Sequence, residues 1–249
     1  VRSRGLGDVY KRQSLLQMAV FFFTAQVAWA GNIKTEKVTL VGNGIVEFIP
    51  VGYDVSCTPS LILSHEPEKK GEVPENWKLV PQFTMTDGKA NALLDVPAGT
   101  SLYGGGEVTG PLLRNGQKIK MWNTDNGMYR VDGGSRLYQT HPWVLGVRSD
   151  GTAFGVLFDS FWKAELITNS DKIEFNTEGA PFRTYIIDRE SPQAVLKGLA
   201  ELTGTISMPP RWAIGYHQSR FSYVPEARVK EVANTFREKK IPCDVIWFD

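Results

Sequence analysis

Charge of one sign, cysteine and histidine are all scarce in this 249-residue sequence. Its 28 basic and 27 acidic residues give a net charge of +1, so bulk electrostatics offer no basis for binding nucleic acid or an anionic membrane surface. Only two cysteines are present, Cys57 and Cys243, which excludes a disulfide framework but leaves one bridge open. The three histidines show no metal-ligand spacing, and we expect neither a metal nor a cofactor. Neutral ligands stay compatible with this composition.

A nucleotide-binding loop is also lacking. Residues 104–110 read GGGEVTG, which departs from the G-x-G-x-x-G spacing, and no helical pattern follows to present its N-terminus to a phosphate. We interpret these glycines instead as residues that allow tight backbone turns.

A largely apolar run from Leu15 to Trp29 precedes the rest of the chain. It is short for a membrane-spanning helix, which needs about 20 residues, and it ends in Ala28-Trp29-Ala30, a small-x-small pattern that signal peptidase accepts. We interpret residues 14–30 as a signal peptide, which predicts a periplasmic or extracellular protein without a membrane segment after cleavage. A buried segment or an uncleaved anchor is the alternative. Residues 1–13 lack an initiator Met and match translated sequencing adapter, so they are excluded from fold reasoning.

Short β-type runs fill residues 31–190. They include VTLV, GIVEFIP, SLIL, NALLDV, HPWVLGVRSD, TAFGVLFDS, AELIT, KIEFN and RTYIIDR, separated by clusters of turn residues such as Ser149-Asp150-Gly151. No long helical stripe interrupts them, which predicts an antiparallel β-sandwich domain. The charged segment His65–Trp77 is typical of a solvated loop.

The pattern changes after Arg189. Ser191-Pro192 and Gly204 bound a predicted linker helix within residues 191–208. Residues 209–249 then predict a strand at 212–217, a helix at 225–239 and a strand at 244–248, which is a β-α-β unit with parallel strands. One such unit cannot bury both of its faces, so these residues are expected to begin a larger domain.

Several motifs in this order resemble glycoside hydrolase family 31, the family of α-glucosidases and α-xylosidases. The motifs are YGGGE at 103–107, WNTD at 122–125, His141-Pro142, PPRWAIGYHQSR at 209–220 and PCDVIWFD at 242–249. The resemblance implies a galactose-mutarotase-like β-sandwich followed by the first β-α-β segment of a (β/α)8 barrel, here truncated.

The same resemblance implies retaining hydrolysis of terminal α-linked glucose or xylose in oligosaccharides, with two carboxylates about 5 Å apart. Neither the family's nucleophile motif nor its acid motif occurs in these residues. No catalytic residue is therefore assigned, and this chain by itself is expected to be inactive. A non-catalytic carbohydrate-binding β-sandwich is an alternative, and a transglycosylase or an α-glucan lyase of the same family is another.

The resemblance also implies sugar contacts. Asp249 matches the first aspartate of a family motif that accepts hydrogen bonds from the terminal sugar, although a bond to barrel backbone is the alternative. Asp125 matches an acidic residue on a loop that reaches over the barrel mouth, whereas an Asx turn would make it a cap of its own backbone. Trp122 is expected to stack on a sugar or to join the core. His217 and Arg220, at the end of the first barrel strand, are expected to support the site.

Overall fold

Two six-stranded antiparallel sheets account for most of the chain up to Gly204. The computed structural model describes residues 31–60 and 62–248, so the predicted signal peptide, the first 13 residues and Asp249 lie outside the described residues. The chain divides into two compact units, with the boundary between Gly204 and Thr205.

The first sheet is antiparallel throughout. In spatial order its strands are β1 (Gly31–Ile33), β4 (Gln82–Thr86), β5 (Lys89–Asp95), β11 (Lys172–Thr177), β10 (Ala164–Thr168) and β7 (Gln117–Met121). Lysine and glutamate alternate with apolar residues along these strands, which places one face of the sheet in solvent.

The second sheet is also antiparallel. In spatial order its strands are β2 (Thr35–Gly42), β3 (Ile45–Pro50), β12 (Arg183–Arg189), β9 (Ala153–Asp159), β8 (Thr140–Val147) and β6 (Ser101–Gly106). A tight turn joins β8 to β9, because Gly151 N–H donates to the Arg148 carbonyl at 3.0 Å. The hairpin predicted at Ser149-Asp150-Gly151 is confirmed.

The core between the sheets is dominated by phenylalanine. Phe158 and Phe175 stack with ring centroids 4.6 Å apart, and Phe182 meets both rings edge-on. All seven residues of β9 are buried, because its sheet is covered on both faces. The β-sandwich predicted from the strand pattern is confirmed.

One helix, α1 (Pro192–Thr203), covers the outer face of the second sheet. The Ser191 hydroxyl accepts a hydrogen bond from Ala194 N–H at 3.2 Å, and the helix ends at Gly204. Val195 packs with Tyr185 in a second apolar cluster. No helix in the described residues is long and apolar enough to cross a membrane.

A buried ionic cluster lies on this same face. Arg183, 1% exposed, donates from Nε to Asp159 Oδ2 at 2.9 Å, and its Nη1 lies 3.5 Å from Glu47 Oε1. Tyr185 donates its hydroxyl hydrogen to Glu47 at 2.8 Å, and burial, followed by the Glu47 charge, raises the pKa of this tyrosine. Glu66, from the segment predicted to be a solvated loop, reaches in to pair with Arg183.

Two stretches differ from the strand pattern. In the predicted strand SLIL, the Ser60 hydroxyl accepts from Leu63 N–H at 2.9 Å and from Ile62 N–H at 3.3 Å. This local turn takes the backbone donors that a ladder would need, and Ser60, Ile62 and Leu63 belong to no strand. Conversely, the pattern misses β1, β4, β6 and β7, which are short or rich in glycine and lysine.

The second unit begins at Thr205 and contains a β-α-β segment. Its elements are β13 (His217–Gln218), α2 (Glu226–Glu238) and β14 (Val245–Ile246), and the two strands pair in parallel. The predicted β-α-β unit with parallel strands is therefore confirmed. No side chain of the described residues 205–248 is fully buried.

The strand predicted at 212–217 is wrong over most of its length. Arg211–Ile214 forms a short 3-10 helix, in which Ala213 N–H donates to the Pro210 carbonyl at 2.9 Å and Gly215 N–H donates to the Trp212 carbonyl at 3.2 Å. These local bonds take the backbone donors that a strand would offer its neighbour. Pairing therefore starts only at His217.

Candidate sugar-binding site

The loop after β7, residues 122–138, is built around one buried asparagine. Asn126 is 3% exposed, and its amide nitrogen donates to the carbonyls of Val131 at 2.7 Å and Arg136 at 2.8 Å. Its side-chain oxygen accepts from Val131 N–H at 2.8 Å. Three bonds from one side chain thus close the loop on itself. Sequence reasoning missed Asn126, because an asparagine in a glycine-rich stretch is ordinarily a turn residue.

The loop holds an unusual backbone conformation. Three residues that are not glycine have positive φ, namely Met128 at 55°, Tyr129 at 56° and Asp132 at 51°. Since positive φ is costly for side chains other than glycine and clusters at functional sites, this conformation marks the loop as a candidate binding element.

Two cations hold the Asp132 carboxylate of this loop. Desolvation alone would raise the pKa of Asp132, but hydrogen bonds from Lys120 and Arg136 outweigh it and hold that pKa below its usual value.

Asp125 presents its carboxylate to solvent from this loop. The Tyr138 hydroxyl donates to Asp125 Oδ1 at 2.8 Å, and this bond raises the pKa of Tyr138. Within the described residues, Asp125 makes no side-chain bond to its own backbone, and its neighbour Asn126 fills that structural role. The carboxylate is therefore exposed, oriented and available to a ligand.

The glycine triplet connects to the loop through Glu107, whose Oε2 accepts from Tyr138 N–H at 3.1 Å. Gly104 has φ of 120°, and a Cβ there would lie 2.3 Å from the Trp143 carbonyl oxygen. A Cβ at Gly106 would lie 2.6 Å from the Gln139 carbonyl oxygen. The glycines thus permit close approach of β6 to β8 at an irregularity in their pairing, rather than a turn between elements.

A cavity of about 670 Å³ opens at one end of the sandwich. Its walls come from the end of β7, the start of β8, the segment after β9 and the end of α1. Trp122 lies on its rim with 51% of the residue exposed, so this tryptophan is not a core residue. The aromatic residues that line the cavity are Trp122, Trp143, Phe161, Trp162 and Phe175.

His217 and Arg220 lie in the second unit. Trp247 Nε1 donates to His217 Nδ1 at 3.1 Å, so the neutral imidazole carries its hydrogen on Nε2. That nitrogen is buried and has no partner among the described residues. The Arg220 guanidinium lies over the Tyr223 ring, 5.7 Å from its centroid. Asp249, the other predicted sugar contact, lies outside the described residues.

Within the described residues, no group of three or more His, Cys, Asp or Glu side chains is placed to hold a metal ion. Cys57 and Cys243 are both free.

Each of the two units matches a known domain model. Residues 60–166 match the model of the glycosyl hydrolase 31 N-terminal galactose mutarotase-like domain, and residues 206–249 match the model of the glycosyl hydrolases family 31 TIM-barrel domain. The chain is 43% identical over 149 residues to alpha-glucosidase 2 of Bacillus thermoamyloliquefaciens, covering 59% of this chain and 19% of that protein. It is 30% identical over 189 residues to an alpha-xylosidase of Lactiplantibacillus pentosus, covering 72% and 24%.

Solved structures also show similarity to family 31 enzymes. A family 31 alpha-glucosidase from Bacteroides thetaiotaomicron aligns with 70% identity and a TM-score of 0.60 over 66% of this chain and 28% of that one. A glucose-bound GH31 dextranase from Flavobacterium johnsoniae aligns at 20% identity with a TM-score of 0.70 over 90% and 33%, which supports the fold. The chain spans about a fifth of the length of the first relatives it matches. With two successive domain models of one family matched in order, the chain belongs to glycoside hydrolase family 31.

Proposed function

We propose that this chain is the N-terminal, sugar-contacting part of an exported retaining α-glycosidase that removes terminal α-linked glucose or xylose from oligosaccharides. Family membership supports glycosidase chemistry. Relatives named as an alpha-glucosidase and an alpha-xylosidase support the two candidate sugars. Export rests on the sequence of residues 14–30.

The observation that carries the proposal is the exposed Asp125 carboxylate. It stands on a loop closed by Asn126 and is oriented by Tyr138, so little ordering is needed when a ligand binds. A carboxylate accepts charge-assisted hydrogen bonds from two neighbouring sugar hydroxyls. Such a contact rejects a sugar that lacks one of those hydroxyls far more strongly than an apolar contact rejects a methylene.

The remaining predicted residues divide between contact and support. Asp249 would accept hydrogen bonds from hydroxyls of a terminal sugar. Trp122, exposed at the cavity rim, offers an aromatic face to a sugar ring. His217 holds a buried N–H that lacks a partner in the described residues, and Arg220 is exposed, so both are suited to orient a site at the end of β13.

The proposed reaction is double displacement with retention at the anomeric carbon. One carboxylate attacks that carbon while a carboxylic acid protonates the leaving oxygen, and water then hydrolyses the covalent glycosyl-enzyme. Both groups are expected on later barrel strands. This chain's own contribution is to hold and orient the terminal sugar.

The experiment starts with the source DNA, read beyond codon 249. A continuing frame is expressed whole and assayed on aryl α-glucosides and α-xylosides, with the anomer of the product followed by NMR. We expect Asp125→Asn to lower kcat/KM by about a hundredfold, since a charge-assisted contact is lost. Asp87→Asn is the matched control, because Asp87 has a φ of 51° that asparagine tolerates.

Each other outcome points to a stated alternative. A stop codon directly after Asp249 would remove the enzyme claim and leave a non-catalytic carbohydrate-binding protein. An unsaturated product would indicate a lyase, and transfer of the sugar to another sugar would indicate a transglycosylase. Unchanged kcat/KM in Asp125→Asn would contradict the loop contact alone.

A further inference from the structure

The cavity at the end of the sandwich has an unusual lining. Among the described residues that form it, none is Asp, Glu, Lys or Arg. A charged ligand entering such a site would lose its hydration without gaining a counter-charge. The lining therefore selects a neutral ligand and argues against phosphates, nucleotides and carboxylates.

The aromatic walls are held in place by packing. Trp162 stacks on Phe161 with centroids 5.2 Å apart and 22° between the ring planes, and its indole N–H donates to the buried Thr58 hydroxyl at 3.4 Å. A Cβ at Gly179 would lie 2.0 Å from the Trp162 ring, and one at Gly155 would lie 1.9 Å from the Trp143 ring. Both indoles thus lie directly on glycine backbone, and the walls exist before any ligand arrives.

Apolar surface stays open at the rim, and polar groups lie between the rings. Trp122 is 51% exposed and Phe161 is 37% exposed. The polar lining groups are Asn123, Thr140, His141, Ser160 and Thr203. Flat apolar faces beside a few uncharged donors and acceptors match a ring that is apolar on its faces and hydroxylated around its edge.

We infer that this cavity is a binding site for the pyranose rings of a neutral α-linked oligosaccharide, separate from the Asp125 contact. Asp125 does not line the cavity. The C–H faces of a pyranose stack on aromatic rings, and its hydroxyls hydrogen-bond to amide and hydroxyl side chains. The volume lies within the roughly 300–1,000 Å³ typical of ligand pockets. The choice of an α-linked sugar rests on the proposed function, whereas the neutral amphipathic ligand follows from the lining.

The test is direct binding of maltose and of isomaltose to the whole chain, measured by calorimetry. We expect Phe161→Ala to weaken binding about five- to tenfold. Phe161→Leu keeps the apolar volume but removes the ring, and we expect the same loss from it. Trp212→Ala is the control, because Trp212 is 56% exposed, lies in the second unit and does not line the cavity.

The result separates this site from the Asp125 contact. Binding that survives Asp125→Asn but is weakened by both Phe161 variants supports the cavity. Binding that is abolished by Asp125→Asn and unchanged in the Phe161 variants places the sugar on the loop and overturns the inference. Absence of binding at millimolar sugar also overturns it. The proposed function is tested separately, by the hydrolysis assay on the product of the complete reading frame.

Discussion

The two units of this chain use apolar residues in opposite ways. The sandwich encloses most of its phenylalanines, and Phe158 and Phe182 are fully buried. In the described part of the second unit no apolar side chain is fully buried, and the most exposed are Ile206, Met208, Phe221 and Phe248, between 78% and 92%. A two-residue parallel pair and one helix have too few faces to cover each other. Composition alone does not make a core, because burial requires a second layer to pack against.

The two helices show the same difference at smaller scale. α1 has 12 residues, a side-chain cap from Ser191, and three buried residues facing the sheet. α2 has 13 residues, no side-chain cap and no buried residue. Its side-chain contacts include ion pairs in solvent, such as Lys230 with Glu226, which contribute only about 0.3–0.5 kcal/mol each, and the half-buried ring of Phe236 beside Tyr216. Full burial against a sheet therefore stabilises α1 more than these contacts stabilise α2.

Removal of Arg183 is expected to destabilise the sandwich most. Arg183→Met leaves the buried carboxylates of Asp159 and Glu47 without their cation, which costs about 5 kcal/mol with the lost packing included. Urea unfolding at neutral pH measures this loss. Arg228→Met, in an exposed pair of α2, is the control and should change stability by less than about 0.5 kcal/mol. Equal effects would contradict the contrast between the units.

Truncation of a core ring comes next. Phe158→Ala should lower the free energy of unfolding by about 4 kcal/mol, because a cavity forms between Phe175 and Phe182. Phe221→Ala, at a ring 89% exposed, should stay within about 0.5 kcal/mol of the parent. Urea unfolding followed by circular dichroism compares the two variants, and a large effect at Phe221 would mean that the second unit has a core in solution.

Loss of the helix cap should be smaller. Ser191→Ala leaves Ala194 N–H without its acceptor and should destabilise the chain by about 1 kcal/mol. Hydrogen exchange should show faster opening confined to the first turn of α1. Ser207→Ala, at an exposed residue outside any helix, is the matched control, and the idea fails if both serines give the same result.

The smallest effect concerns ionisation rather than stability. The bond to Asp125 raises the pKa of Tyr138, so the phenol keeps its hydrogen, and the bond persists, as pH rises past the usual value of about 10. The bond is lost only as pH rises through the raised value. Asp125→Asn should return this pKa toward about 10, as read by NMR of labelled tyrosine rings, with Tyr138→Phe identifying the signal. An unchanged pKa would show that the bond is absent in solution.

Local signals predicted the elements that local interactions determine. The Ser149-Asp150-Gly151 turn and the helix start at Ser191-Pro192 were readable because turn and cap residues act on their own neighbours. The strand predicted before His217 was wrong. Its β-type residues do not reveal that the carbonyls of Pro210 and Trp212 accept hydrogen bonds from residues three positions later in the chain. The family motifs indicated Asp125 and Trp122 as candidates without their surroundings.

Other features could not be predicted from a single sequence, because they depend on contacts between segments that are distant along the chain. Strand β6 carries Gly104 and Gly106 because backbone at the β8 side lies too close for a Cβ, whereas a Cβ at Gly105 would meet the Ile119 side chain. All three are contacts between distant segments. The cavity joins Phe161 and Trp162, which follow β9, to Trp122, which follows β7. Arg183 reads as an ordinary surface arginine until Asp159 and Glu47 are placed beside it. Each of these depends on tertiary neighbours that the spacing of residues does not reveal.

Arg183 also has a consequence for strand register during folding. It lies directly opposite Asp159 in the β12–β9 pair, while Ile186 and Val156 from the same strands face the core between the sheets. Because side chains alternate along a strand, a slip by one residue would turn the guanidinium inward among the phenylalanines, far from any carboxylate. Mispairing of β12 with β9 would therefore cost more free energy than it would if Arg183 were an apolar residue. The buried charge discriminates against the wrong alignment as well as stabilising the right one.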